Sequence, residues 1–111
     1  MSIRTKYTMK VDATAVPTVG RWVPFDQSMS PFNVSLAVVV GSAGGADYRI
    51  EHTFDDVLKG ETATAFVHAD LSANNTNNDG NYAYPVMASR LVVVSVGSAQ
   101  AVTAYFTQTC L

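Results

Sequence analysis

The chain has 111 residues, of which 48% are hydrophobic and 14% charged, enough for one domain with one core. Seven basic against nine acidic residues leave a formal charge of −2, which argues against a protein held to nucleic acid by counterion release. A single cysteine, Cys110, excludes an internal disulfide framework and a cysteine-rich metal site.

The hydrophobicity comes from 16 Val, accompanied by 11 Thr, against only 5 Leu and 2 Ile. Such β-branched side chains pack well on a pleated surface. Turn residues recur from Pro17 to Gly97, and no stretch between them carries the stripe of an amphipathic helix. Residues 1–111 therefore read as all-β, a single antiparallel β-sandwich, jelly-roll-like, with about eight strands.

In chain order, Ile3, Tyr7, Met9 and Val11 alternate with Arg4, Lys6, Thr8 and Lys10, so period 2 puts three positive charges on one face. Residues 1–12 form an edge strand or an extended N-terminal arm. The start has charge but no apolar stretch behind it, so no signal peptide is expected. Runs such as Val38–Val40 and Leu91–Val94 fall far short of the ~20 residues that cross a bilayer, so no membrane partner is expected either. Pro17, Pro24 and Pro31 surround a short strand at 19–23 and a long connection, which puts Trp22 and Phe25 on the surface.

Asn33–Val40 reads as a central strand and Gly41–Gly45 as a hairpin turn. Asp47–Phe54 follows with Tyr48, Ile50, His52 and Phe54 inward and Asp47, Arg49, Glu51 and Thr53 outward. Asp55–Gly60 suits one helical turn, capped by an Asp and stopped by the glycine. Thr62–His68 alternates around Phe66. Ser72–Asn81 is the most polar stretch. Tyr82–Met87 is a strand that Pro85 confines to an edge or a bulge, with Tyr82 and Tyr84 on one face. Ser89–Val96 and Ala101–Thr109 read as a closing hairpin around Gly97–Gln100.

Groups that carry chemistry are scarce. His52 points inward and reads as a hydrogen-bonded core histidine, while His68 reads as a surface histidine at a strand end. Glu51, Asp55, Asp56 and Glu61 read as a solvated acidic patch. Asn75–Gly80 has the oxygen spacing of half a calcium loop, but Val86 stands where its bidentate Glu belongs, so an Asp79-Gly80 turn is the better reading. Cys110 is a free thiol. No catalytic residue, metal or cofactor is expected, and hence no enzyme. The candidate interface residues are Arg4, Lys6, Lys10, Trp22, Phe25, Tyr82 and Tyr84, since Trp and Tyr are enriched where proteins meet. Phe32, Phe54 and Phe66 are expected in the core.

The runs Glu51-His52-Thr53-Phe54-Asp55-Asp56, Ala65-Phe66-Val67-His68-Ala69 and Asn77 to Leu91 resemble a pattern in small virion proteins of tailed bacteriophages. With its length and composition, the chain is similar to the decoration proteins, called staple or cement proteins, on the heads of short-tailed phages. The resemblance covers residues 33–109, and the first 30 residues carry none. It implies a jelly-roll-like sandwich on the capsid exterior of the virion that bridges neighbouring major capsid subunits. The partners expected are the major capsid protein and a second copy in a dimer. The other reading is a carbohydrate- or receptor-binding sandwich of a phage tail or head fibre, which would use the aromatics. The row Arg4, Lys6 and Lys10 suits an acidic partner surface or addition to a neighbour's sheet edge. Its competing use is to keep an edge strand from aggregating.

Overall fold

A strand with alternating apolar side chains buries one face only, so such strands close a core by packing two sheets together. The computed structural model describes residues 2–11, 17–42 and 45–109 and shows that arrangement. Its strands are β1 (Ser2–Val11), β2 (Thr18–Val19), β3 (Val23–Pro24), β4 (Val34–Val40), β5 (Ala46–Thr53), β6 (Phe66–Val67), β7 (Asn78–Tyr82), β8 (Ala88–Val96) and β9 (Gln100–Thr109). The first sheet has the order β1-β9-β4-β7, and the second β2-β8-β5-β6 with β3 also on β8. Every pairing is antiparallel.

β2 and β3 lie along β8 in succession, Val19 opposite Val92 and then Val23 opposite Ser89. Taken as one interrupted strand they leave four strands in each sheet, and the chain changes sheet at every connection except β5 to β6. That is a jelly roll. The interruption is at Gly20, whose N–H donates to the Leu91 carbonyl at 2.8 Å. A Cβ there would stand 2.8 Å from that same oxygen and 2.8 Å from the Tyr7 ring.

Two expected hairpins are crossovers instead. β4 and β5 flank Gly41–Gly45 but belong to different sheets, as do β8 and β9 around Gly97–Gln100. By crossing, β9 gains both β1 and β4 as neighbours, and β8 gains β5 together with β2 and β3. The central strands thereby bond their backbone groups on both sides, which a lone hairpin would not allow.

The core lies between the sheets. Val34, Leu36, Val38, Val102, Ala104 and Phe106 of the first sheet meet Tyr48, Ile50, Leu91 and Val93 of the second, with Leu71 and Val86 dropped in from loops. The helical stretch is a short 3-10 turn, Val57–Lys59, where the Asp56 carboxylate accepts from the Leu58 N–H and Gly60 closes with φ 76°. A glycine takes that left-handed backbone without a Cβ penalty.

Other expectations shift. Asn78–Gly80 is extended within β7, so Asp79-Gly80 is not a turn, and the strand placed at Tyr82–Met87 ends at Tyr82. A Cβ at Gly80 would stand 3.2 Å from the His68 ring, so the missing side chain makes room for that histidine. The alternation in Thr62–His68 yields only the two-residue β6. Phe32 packs against the core as expected, whereas Phe54 and Phe66 are 52% and 48% exposed. Cys110 lies outside the described residues.

Candidate interface surfaces

β1 is an outer strand of the first sheet, and its outward row consists of Arg4, Lys6, Thr8 and Lys10, all exposed. Lys6 is in register with Tyr105 of β9. The Arg4 guanidinium and the Lys6 ammonium sit 5.5 Å and 5.6 Å from the centre of the Tyr105 ring, close enough for the ring quadrupole to attract both cations. Among the described residues, Arg4, Lys6 and Lys10 have no carboxylate within ion-pair distance; the ion pairs there join Arg49 and Arg90 to Glu51 and Lys59 to Asp56.

A second surface lies at the opposite side of the sandwich, around β6 and the end of β7. His52 is the last buried inner residue of β5, with ring centres of Phe54, Phe66, Tyr82 and Tyr84 at 5.5, 6.0, 5.0 and 6.2 Å. Phe54 and Phe66 meet edge to face at 5.6 Å. Since β6 has two residues and β7 stops at Tyr82, no strand among the described residues covers the inner face beyond His52. Phe54, Phe66 and Tyr84 are consequently 52%, 48% and 51% exposed and together make an aromatic patch. Single exposed apolar residues need no explanation, whereas a group of them makes a candidate contact surface.

Beneath the patch the polar groups are satisfied. The Tyr82 hydroxyl lies 3.0 Å from His52 Nδ1 and 3.5 Å from Ser89 Oγ, while Ser89 donates to the Glu51 carbonyl at 2.7 Å. Burial, and to a lesser extent the neighbouring His68, lowers the His52 pKa. Burial pushes the Tyr82 phenol well above its ordinary value. Two expectations are corrected here. Tyr82 is fully buried and cannot touch a partner, so of that tyrosine pair only Tyr84 reaches the surface. His68 is buried too: the Asp70 N–H donates to its Nδ1 at 3.1 Å, and its Nε2 lies 2.9 Å from the Asn81 carbonyl. It thereby caps part of the β7 edge, a role that no local pattern around residue 68 reveals.

The outer face of the second sheet holds a third cluster. Glu51 is 5% exposed and sits between Arg49 at 2.7 Å and Arg90 at 2.8 Å. Burial pushes its carboxyl up, but hydrogen bonds from Arg49 and Arg90, together with their charges, outweigh that and hold it below the ordinary range. Glu51 is thus no part of a solvated acidic patch, which corrects the sequence reading. The Arg90 guanidinium also lies 4.2 Å above the half-buried Trp22 ring. Phe25 is half-buried against Phe32 and Phe106. The remaining acids hold their loop: Asp55 accepts from the Thr64 N–H and Glu61 from the Asp56 N–H, each at 2.7 Å. Among the described residues no group of three or more His, Cys, Asp or Glu side chains is placed to hold a metal ion.

These features define a two-sheet jelly-roll sandwich with a basic row on one side and an aromatic patch on the other. No protein-family model and no curated protein sequence matches the chain. Among solved structures it is similar to the SPBc2 prophage-derived protein YomS, at 16% identity and a TM-score of 0.56, covering 96% of this chain and 95% of that one. A chain from the disulfide-linked pili of Bacillus endospore appendages aligns over 99% of this chain and 89% of that one, at 13% identity and a TM-score of 0.46. At such identity the YomS likeness speaks for the fold.

Proposed function

We propose that this chain is a non-enzymatic virion structural protein, a capsid decoration or staple protein that binds the outer surface of the major capsid shell and bridges neighbouring subunits. The observation that supports this most is the placement of an exposed basic row and an exposed aromatic patch on opposite sides of one sandwich. β1, with the basic row, and β7, beside the aromatic patch, are the two outer strands of the first sheet, roughly 14 Å apart across three strand spacings. One molecule can therefore touch two neighbours, and the first attachment raises the effective concentration of the second. A staple that binds the assembled shell better than its separated parts stabilises the shell by that difference in affinity.

The chemistry is in keeping with a structural role. Both histidines are committed to hydrogen bonds in the interior, and the buried carboxylate, Glu51, is taken up by two arginines. The prophage origin of YomS agrees with a phage setting. Carbohydrate binding is favoured by one observation, the exposed rings of Phe54, Phe66 and Tyr84. However, Phe54 and Phe66 meet at 62°, which presents edges as well as faces and suits a side-chain interface better than a flat sugar platform.

The test is rebinding. Purified protein is incubated with phage heads stripped of it and, separately, with a panel of polysaccharides. Saturable rebinding that raises the temperature at which the heads lose their DNA is expected. Retention by a polysaccharide with no binding to heads overturns the proposal in favour of the fibre-domain reading.

A further inference from the structure

The four sides of the two sheets end very differently. β7 has five residues, β6 two, and β2 and β3 two each, with Pro24 in β3. β1 has ten, paired with β9 in unbroken register from Ser2 opposite Thr109 to Val11 opposite Gln100. Proteins blunt an exposed sheet edge by shortening the strand, bulging it or placing proline in it. This molecule does so at its other edges and leaves β1 long, regular and free of proline. Among the described residues no strand pairs with its outer side.

Lysines on an edge strand can themselves discourage pairing, but they discourage some partners and not others. A second copy docking β1 against β1 would oppose its own row of cations, and like charges directly across a ladder are unfavourable. An acidic strand would have the reverse effect. On an added strand, alternate side chains fall on the face of Arg4, Lys6 and Lys10, directly opposite or diagonal to them. Arg4 and Lys6 are held over Tyr105, and none of the three is spent on a carboxylate among the described residues. On the opposite face of β1, Ile3 is 43% exposed and offers an apolar contact to the same strand.

We infer that the outer edge of β1 is a docking site for an extended segment of another protein, added to the first sheet as a fifth strand with acidic side chains at alternate positions facing Arg4, Lys6 and Lys10. Backbone bonds supply affinity that is indifferent to sequence, and the charge row supplies selection. The inference deepens the reading above by naming what the partner presents to β1, and it rests on that reading for the partner's identity.

Two ten-residue peptides test it on the full chain, one alternating Glu with Val or Thr and one with Lys in place of every Glu. Hydrogen exchange is followed at the β1 amides that are not bonded to β9, and peptide affinity is measured across a salt series. The acidic peptide is expected to slow exchange at those amides and to bind more weakly as salt rises. The Lys peptide is expected to do neither. Lys6→Glu combined with Lys10→Glu is expected to weaken the acidic peptide on the order of tenfold at low salt. Unchanged exchange with the acidic peptide, or equal binding of both peptides, overturns the inference and leaves β1 a guarded edge. The double variant is also tested on stripped heads. Heads that bind it as tightly as the parent overturn the edge inference alone. Peptide protection with no binding of the parent to heads overturns the capsid reading alone.

Discussion

The Tyr82 hydroxyl lies 3.0 Å from His52 Nδ1, and this contact ties β7 of the first sheet to β5 of the second directly beneath the aromatic patch. It joins the two sheets by a buried polar pair, so its loss is costly. Tyr82→Phe keeps the ring packing and removes the hydroxyl, leaving a buried nitrogen with one partner fewer. The expected loss is about 1–3 kcal/mol in urea unfolding; an unchanged midpoint would mean that water takes over the contact.

The same histidine makes stability depend on pH. Its pKa is lowered in the folded protein, so below the ordinary histidine value of about 6.5 the unfolded chain binds the proton more readily. Stability from the neutral ring is complete above that value and declines as pH falls below it. Urea midpoints measured from pH 8 down to pH 5 should decrease, and His52→Gln should flatten the slope while lowering the plateau. A slope unchanged by the substitution would assign the effect to another group.

Glu51 responds at lower pH. Its carboxyl is held below the ordinary range, so its contribution is present above about pH 4.3 and disappears as acid protonates it. Glu51→Ala leaves Arg49 and Arg90 facing each other. The expected cost is about 1–3 kcal/mol, less than for a fully buried pair because water reaches both arginines. Thermal unfolding at pH 7 checks the cost, and the variant should lose part of the acid sensitivity seen in the parent between pH 5 and pH 3.

Two glycines separate steric from conformational need. Gly20→Ala puts a methyl 2.8 Å from a backbone oxygen of β8 and from the Tyr7 ring, so β2 and β3 must lift from β8, at roughly 1–3 kcal/mol. Gly60→Ala meets nothing within 4 Å and costs only the left-handed backbone at φ 76°, about 1–2 kcal/mol. Near-ultraviolet circular dichroism should therefore change around the tyrosines for Gly20→Ala and stay the same for Gly60→Ala.

The aromatic patch should matter to binding as well as to folding. Phe54 and Phe66 are each about half exposed, so Phe54→Ser with Phe66→Ser removes their mutual ring contact and the two they make with His52, on the order of 0.5–1.5 kcal/mol each, plus the buried halves of two side chains. Far-ultraviolet circular dichroism should be retained, and rebinding to stripped heads should fall at least tenfold. Undiminished rebinding would remove the patch from the interface.

Much of the fold was legible because a strand writes its own signature. In β1 and β5 the period-2 alternation names the inner face residue by residue, and the structure agrees at Met9 and Val11 and at Tyr48, Ile50 and His52. The Asp and Gly around residues 56–60 likewise specify the 3-10 turn through local bonds. The outward position of Arg4, Lys6 and Lys10 followed from the same alternation. The aromatic patch did not. Phe54 continues the inward pattern of β5, and its exposure arises because β7, more than twenty residues further along the chain, stops short of it.

By itself the sequence determined the all-β content, the inner faces of β1 and of β5 as far as His52, and the positive row, since each depends on neighbours one or two residues away. Only the tertiary structure decided which strands pair. A glycine-rich connection serves a hairpin within one sheet and a crossover between two, and the choice falls to the central strands β8 and β9, which bond on both sides only when the chain crosses. His68 and Glu51 followed from that choice: one is buried by the carbonyl of Asn81 and the other by Arg49 and Arg90, and the burial of a polar group rests on partners that the fold brings to it.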